Sequence, residues 1–226
     1  MDRDRLVHGY LDGQLSRRVF LRGLLTAGVS LAAASAYADL LAGLPAEAAV
    51  PDLYVFASEY AFTPSPAKGL LGHQVEFGFS GGNTASHLAE DASAALAFTT
   101  STYASPGSVR LVPVPGAGTY PYHCPDGAHP AMEGVLRVLP SVSASSGVVG
   151  DTFTTRWADP ADAAFVYDVQ IKRPGTTSWA AWRTGVAKAT GRFTPTNAGT
   201  YRFRARSVRL GSGASGWSPA VAITVS

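Results

Sequence analysis

Short runs of alternating apolar and polar residues dominate the chain from about residue 50 onward. In the run 74–79, Val75, Phe77 and Phe79 fall on one face, which predicts a strand packed against a core. Gly and Pro separate this run from similar ones at 53–57, 109–114 and 119–123. The Ala-rich segment 90–102 predicts a helical turn or an irregular crossover, and no stretch has the period of a long amphipathic helix. We therefore predict an all-β sandwich.

A second series of strand-like runs begins after Pro140, where the composition changes to Ser, Gly and Val. The segment 141–150 predicts an edge strand and a turn. Alternation places Phe153, Thr155 and Trp157 on one face of the next strand. Further strands are predicted at 165–172, 179–184, 191–194, 200–208 and 220–225. The chain thus predicts a second β-sandwich after the first.

The N-terminal segment has the features of a targeting sequence. Residues 16–22 read Ser-Arg-Arg-Val-Phe-Leu-Arg and precede an apolar, Ala-rich run, which resembles a twin-arginine export signal with Arg17 and Arg18 as its paired arginines. A retained anchor or an amphipathic helix is the alternative, but Asp39 interrupts the apolar run before the roughly 20 residues that a bilayer requires. Cleavage after Ala48 would leave no transmembrane span. We expect a leader at 1–48, a first domain at 49–139 and a second at 140–226, in the periplasm, at the cell surface or secreted.

Charge is distributed unevenly between the two predicted domains. The net charge of +2 gives no reason to expect a nucleic-acid partner. Residues 49–139 carry three Lys or Arg against seven Asp or Glu, whereas residues 140–226 carry ten against four. Arg202, Arg204 and Arg206 alternate along one predicted strand and would form a basic stripe. This stripe is either a solvated face or a surface for an anionic polymer, an acidic protein or the first domain.

The loop that follows strand 119–123 gathers three soft metal ligands. Cys124 is the only cysteine. Four residues separate it from His129, and two more separate His129 from Met132. A lone cysteine in an exported protein is an intermolecular partner, a reactive thiol or a metal ligand. Two imidazoles and a thiolate in a plane, with a weak axial thioether, form a blue-copper site. The loop therefore predicts copper and requires one more histidine.

His87 is the best candidate for that histidine. It follows strand 74–79 after a Gly-Gly-Asn turn, so it should lie at the end of the sheet that Cys124 also reaches. His73 precedes the same strand and should project at the opposite end as a solvated turn residue.

Several segments of the first domain resemble cupredoxins of the plastocyanin and pseudoazurin kind. They are Phe-Thr-Pro at 62–64, Gly-Asn-Thr-Ala-Ser-His at 82–87, Ser-Pro-Gly at 105–107 and Gly-Thr-Tyr-Pro-Tyr-His-Cys at 118–124. The resemblance implies a Greek-key sandwich with one type 1 copper, held by His87, Cys124 and His129 in the plane and by Met132 on the axis. It further implies single-electron exchange with a redox protein. Plastocyanin-like proteins commonly have two residues between the cysteine and the histidine and four before the methionine, whereas this chain has four and two. The resemblance therefore implies which residues are the ligands but not the redox potential of the copper.

The second domain resembles a fibronectin type III domain. The matching residues are Trp157, Tyr-Asp-Val at 167–169, Gly-Thr-Tyr-Arg-Phe-Arg-Ala at 199–205 and Gly-Trp-Ser-Pro at 216–219. The resemblance implies structural roles for Trp157 in the core and for Tyr201 as a tyrosine corner.

Together these features predict an electron carrier rather than an enzyme, with the second domain tethering it or contacting a partner. A copper-sequestering protein, or an adhesion or scaffold protein without a redox role, is the alternative. A copper-dependent reductase component is considered because His123 precedes Cys124 and points to the opposite side of the strand, and it ranks third because a catalytic copper would need more histidines. Nitrite reductases place a further ligand a few residues beyond the first histidine, where this chain has Ala92.

Overall fold

The computed structural model describes residues 53–100 and 103–226, which form strands and turns and, within that part of the chain, no helix. The predicted leader, with Arg17 and Arg18, lies outside the described residues. In the part described, no helix is long and apolar enough to span a membrane. The predicted all-β fold of two successive sandwiches is confirmed.

The first sandwich consists of two four-stranded sheets with the strand orders β2-β1-β4-β6 and β3-β8-β7-β5. Its strands are β1 (Leu53–Ala57), β2 (Phe62–Thr63), β3 (Ala67–Gly69), β4 (Gln74–Phe79), β5 (Glu90–Asp91), β6 (Val109–Pro113), β7 (Gly118–His123) and β8 (Glu133–Val138). Each sheet contains one parallel pair, β1 with β4 and β3 with β8, among antiparallel neighbours. The two sheets therefore join strands that are distant in sequence.

An aromatic cluster fills the space between these sheets. Phe77, on the inward face of β4 as predicted, meets Tyr122 of β7 edge to face, with ring centroids 5.3 Å apart. Phe62 contacts Tyr122 at 5.0 Å, and Phe98 packs against the same group. Such edge-to-face pairs add about 0.5–1.5 kcal/mol each to the free energy of burial. The cluster holds β4 against β7, the two strands that precede the histidine and cysteine of the predicted site.

The second sandwich pairs a three-stranded sheet, β14-β11-β9, with a five-stranded sheet, β10-β16-β15-β12-β13. Its strands are β9 (Ser141–Val142), β10 (Ser146–Gly147), β11 (Phe153–Arg156), β12 (Phe165–Lys172), β13 (Ala180–Val186), β14 (Thr190–Phe193), β15 (Gly199–Arg209) and β16 (Val221–Val225). Trp157 is buried in the core, as predicted. Tyr201 donates its hydroxyl to the carbonyl of Asn197 at 2.9 Å, which confirms the tyrosine corner.

The segment predicted as a helical turn or a crossover contains a two-residue strand and then turns as far as it is described. The buried carboxylate of Asp91 accepts hydrogen bonds from the backbone N–H of Ser93 and of Ala97. A side chain that satisfies nearby backbone donors competes with helix formation. The irregular crossover is thus the correct alternative for residues 92–98.

The two sandwiches are joined through the start of β7. Thr119 and Gly216 exchange two backbone hydrogen bonds, each 2.9 Å long, and form an isolated β-bridge. The next residue, Tyr120, is fully buried and donates its hydroxyl to Gly116 O at 2.7 Å, with Ser207 Oγ at 2.9 Å from the same hydroxyl. The bonds of Thr119 with Gly216 and of Tyr120 with Ser207 cross between the sandwiches, and Tyr120 and Ser207 are buried, so these bonds hold the two units in one orientation.

An apolar cluster extends this joint. Ala95 and Ala117 of the first sandwich pack with Trp157 and Tyr167 of the second in one buried group. Tyr167 also donates its hydroxyl to the carbonyl of Pro115 at 2.9 Å. A shared core and buried hydrogen bonds are features of a permanent interface rather than of a flexible linker.

The arginines of the predicted basic stripe differ in their surroundings. Arg204 donates to Gln170 at 2.7 and 2.9 Å and stacks with Trp179 and Trp217 at 4.4 and 4.9 Å. Arg206 is paired with Asp168 at 2.8 Å. Arg202, paired in register with Lys172, is exposed. Two of the three guanidinium groups are therefore held by their own sandwich.

Glu76 gives a testable dependence of stability on pH. Its side chain is fully buried in the middle of β4, both carboxyl oxygens lack a hydrogen-bond partner, and burial raises its pKa to about 8 from an ordinary value near 4.5. Between these two values the unfolded chain loses a proton that the folded chain retains. The free energy of unfolding should thus fall by up to about 5 kcal/mol as pH rises from 4.5 to 8.

Glu76→Gln should remove this fall, because the amide does not ionise. In denaturant titrations at pH 4, 6 and 8, the variant should match the wild-type protein at pH 4 and exceed it increasingly at higher pH. Glu90→Gln, at a half-exposed carboxylate, is the matched control and should leave the pH profile unchanged. Parallel profiles for wild-type protein and Glu76→Gln would show that Glu76 is ionised in the fold.

Candidate metal centre

His87 reaches the site through the loop that follows β4. Asn83 in that loop is buried and donates its side-chain amide to the carbonyl of Ala57 at 3.2 Å, which fixes the loop against the end of β1. His87 itself exchanges backbone hydrogen bonds with Ala104 in an isolated bridge. The Gly-Gly-Asn turn therefore reverses the chain and also anchors its backbone at Asn83, four residues before the bridge at His87.

Cys124, His129 and Met132 lie on a loop closed by its own backbone. The N–H of Cys124 donates to the carbonyl of Met132 at 3.0 Å, and the N–H of Met132 donates to the carbonyl of His129 at 3.0 Å. Asp126 accepts from the backbone N–H of Ala128 and of His129 and starts the turn. The four-then-two spacing thus corresponds to a turn at Asp126, followed by a second turn that brings Met132 back beside Cys124.

Three of the four predicted ligands converge. The ligand atoms of His87, Cys124 and His129 all lie within 4.8 Å of one another. The three residues are 0%, 3% and 4% exposed, and the two imidazole rings are 4.5 Å apart between centroids. Met132, the fourth, is buried in the same core cluster as Cys124. The site is therefore dry and lined by soft donors, the set that favours copper.

The imidazole nitrogens at this site have unmet hydrogen-bonding capacity. Neither ring nitrogen of His87 has a hydrogen-bond partner, and Nδ1 of His129 has none either. Leaving such groups unpaired in a dry interior costs about 1–3 kcal/mol each. Burial and the nearby His129 lower the pKa of His87, which favours the neutral ring that a metal requires. A bound metal would satisfy one of these nitrogens on each ring.

Glu59 and Tyr60, in the loop between β1 and β2, also border the site. The carboxylate of Glu59 lies 3.9 Å from Nε2 of His87. The ring of Tyr60 meets His129 edge to face, 5.8 Å between centroids, and is itself 69% exposed. Neither residue can be identified as part of the site from the sequence, because neither lies in a predicted strand or beside a predicted ligand.

The other two histidines of the described chain lie elsewhere. His73 is half-buried just before β4, at the opposite end of that strand from His87, as predicted, although it is not fully solvated. His123 is partly exposed and lies 3.6 Å from the carboxylate of Glu90, its partner in register on β5. Its neighbour in register on β8 is Glu133. His123 is thus in a solvated row of acidic side chains on the opposite face of β7 from Cys124.

The contacts between the two sandwiches lie at the opposite end of β7 from the candidate metal centre. The contacts of Thr119 and Tyr120 lie at the start of β7, whereas Cys124 follows its end, about 17 Å away at 3.3 Å per residue.

Comparison with known proteins gives the following matches. No family model matches the chain, and no curated protein shows a significant match. An oxidised mutant of amicyanin aligns with 41% of this chain and 87% of its own, at 23% identity and a TM-score of 0.33. A reduced Cu(I) form of another amicyanin mutant aligns with 43% and 87%, at 20% identity and 0.31. A fibronectin type III domain of the human fibronectin type III domain containing protein 3 aligns with 38% and 84%, at 13% identity and 0.30.

Asn83 provides a test of how the first histidine is positioned. Asn83→Ala would remove one of two hydrogen bonds to the buried carbonyl of Ala57, which keeps the backbone N–H of Ser80 at 2.8 Å, so the variant should lose about 0.5–1.5 kcal/mol of stability. It should also weaken metal binding, because the backbone of His87 loses an anchor. Denaturant titration and metal titration measure the two effects. Ser58→Ala, which removes an exposed hydroxyl that bonds to Ala61, is the control and should change neither.

Proposed function

We propose that this chain is an exported type 1 copper protein that transfers single electrons. One observation carries the proposal: the donor atoms of His87, Cys124 and His129 lie within 4.8 Å of one another in a buried site, and three imidazole nitrogens there have no protein partner. A structural cluster would satisfy these nitrogens with protein groups, whereas a metal-binding cluster leaves them free.

The chemistry of the donors favours copper over other metals. His87, Cys124 and His129 would hold the metal through two imidazoles and one thiolate, and Met132 would add a thioether. Copper bound by such ligands supplies a one-electron couple between Cu(II) and Cu(I). The thiol of Cys124 must lose its proton to bind, and the lowered pKa of His87 supports binding because a metal requires the neutral ring.

The framework around the ligands supports electron transfer with little rearrangement. The loop hydrogen bonds of Cys124, His129 and Met132, together with the bridge at His87, hold the backbone of all four residues before any metal binds. Ligands that are already in place need little reorganisation when the charge on the metal changes. Burial of the four side chains would also keep water from a bound metal.

His129 is the proposed exit for the electron. It is the ligand nearest to a surface of exposed residues, where Ala128, Pro130 and Ala131 flank it in sequence and Tyr60 covers its ring. An apolar surface of small residues permits close approach of a partner. Since the first sandwich is acidic, we propose that the redox partner presents a basic surface to it.

The second sandwich is proposed to tether the copper sandwich or to contact a partner. Its excess of basic residues supports binding to an anionic polymer or an acidic protein, for which the exposed Arg202 is better placed than Arg204 and Arg206 with their internal partners. Export through the leader at 1–48 rests on the sequence, and the single cysteine is compatible with an oxidising compartment.

A carrier accounts for these features better than an enzyme does. A reductase would need a second metal or a substrate site wired to Cys124, and His123 is the residue from which such a site would be built. Its neighbours in register are Glu90 and Glu133 rather than further histidines. We therefore propose no catalytic role.

Copper titration tests the proposal directly. The folded protein should take up one Cu(II) per chain and develop an intense visible absorption band from thiolate-to-copper charge transfer. Cys124→Ala should abolish the band, because the thiolate is its source, while His123→Ala should retain it as the matched control. Reversible voltammetry of the loaded protein should then show a one-electron couple.

Other outcomes assign the alternatives. A colourless complex with Cu(I) alone would favour copper sequestration, and a folded protein without copper uptake would favour an adhesion or scaffold role. A second, tightly bound copper lost in His123→Ala would indicate a reductase component.

Tyr60 tests the proposed exit. Tyr60→Ala should preserve the charge-transfer band and speed electron exchange with a small inorganic oxidant, because removal of the ring uncovers His129. Stopped-flow absorbance measures the rate. Tyr103→Ala removes another exposed tyrosine and should have a smaller effect. An unchanged rate in Tyr60→Ala would place the exit elsewhere.

A further inference from the structure

We propose that Glu59 is a positioning residue for His87, and that its carboxylate favours Cu(II) over Cu(I) at the proposed copper site. This inference rests on the proposed function and deepens it. It concerns a side chain that reaches the site from a loop of another strand pair and that lies outside the four predicted ligands.

Both oxygens of the Glu59 carboxylate accept a hydrogen bond from Thr84. Its Oε2 accepts from the backbone N–H of Thr84 at 2.7 Å, and its Oε1 accepts from the hydroxyl of Thr84 at 2.6 Å. The loop that carries it is closed where the N–H of Ser58 donates to the carbonyl of Ala61 at 2.9 Å. Because Thr84 lies in the loop that carries His87, these two bonds fix the position of the Glu59 carboxylate relative to that loop.

The same arrangement aims a carboxylate at the imidazole. Oε2 of Glu59 lies 3.9 Å from Nε2 of His87, and neither ring nitrogen has a hydrogen-bond partner. A metal takes only one of the two nitrogens, which leaves the other as a donor, and this carboxylate is an acceptor 3.9 Å from Nε2. A shift of about 1 Å brings the pair to hydrogen-bond distance. Ligand histidines typically donate their second N–H to such a group, which fixes the tautomer and the ring orientation.

The charge of Glu59 affects the two oxidation states differently. Cu(II) carries one more positive charge than Cu(I), so a negative charge behind a ligand stabilises Cu(II) more. Carboxylates in this position typically change metal affinity 10- to 100-fold. At the lower end, a tenfold change in the ratio of Cu(II) to Cu(I) affinity corresponds to about 59 mV in the potential of a one-electron couple. Asp126 in the ligand loop also acts on His87 by its charge, so the test must separate the two carboxylates.

The experiment compares Glu59→Gln with Glu90→Gln. Glu59→Gln keeps the length of the side chain and an acceptor for Thr84 but removes the charge. Glu90→Gln removes the same charge from the same sandwich, next to His123 rather than to a ligand. Cu(II) affinity should fall about tenfold in Glu59→Gln with little change in Cu(I) affinity, and the potential should rise accordingly. Glu90→Gln should show neither change, and both variants retain Asp126.

A second measurement needs no copper. In metal-free protein, the ¹⁵N chemical shifts of His87 should indicate a proton on Nε2 in the wild-type protein, and this tautomer should lose population in Glu59→Gln. Unchanged His87 shifts together with an unchanged ratio of copper affinities would overturn the role of Glu59. Absence of copper uptake by wild-type protein would instead overturn the proposed function, and the metal-free shifts would then decide the positioning role alone.

Discussion

The inward face of β7 is the constraint on which the rest of the molecule depends. Because side chains alternate along a strand, Tyr120, Tyr122 and Cys124 share this face, and all three are buried. Tyr120 bonds across the joint to Ser207, Tyr122 sits in the aromatic cluster, and Cys124 faces the two histidines. A shift of register by one residue would turn all three to solvent and would undo the joint, the core and the metal centre together.

Much of the fold follows from periodicity. β1, β4 and β12 have the bounds that alternation predicts, and Trp157 and Tyr201 have the roles that their positions imply. The strands β2, β3 and β5 were not predicted, because two or three residues are too few to show a period. Their existence depends on pairing with longer neighbours, as when β3 lies parallel to β8. The joint could not be predicted either, because the sequence indicates only that Tyr120 is a core residue and not that its hydroxyl bonds to Ser207 of the second sandwich.

The convergence of His87, Cys124 and His129 was predictable for a different reason: these candidate ligands differ chemically from their surroundings. One cysteine, a histidine and a methionine on a single loop are visible in a sequence, and the end of β4 indicates where a second histidine must come from. The environment of those ligands was not predictable. Glu59 and Tyr60 reach the site because Thr84 binds the loop between β1 and β2, and this contact joins residues 25 positions apart that have no shared pattern.

The bridge between Thr119 and Gly216 has a consequence for encounters at a surface. Because the sandwiches are fixed to each other, a surface that bound the second sandwich would hold the far end of the first at a fixed distance and angle from that surface. Two sandwiches joined by a flexible linker would sample a wide volume, so the effective concentration of the first sandwich at any one target would be low. A rigid joint raises that effective concentration for a target at one distance and lowers it for targets at other distances. For a chain anchored in this way, the joint would make the distance to a target a criterion of selection, in addition to charge and shape.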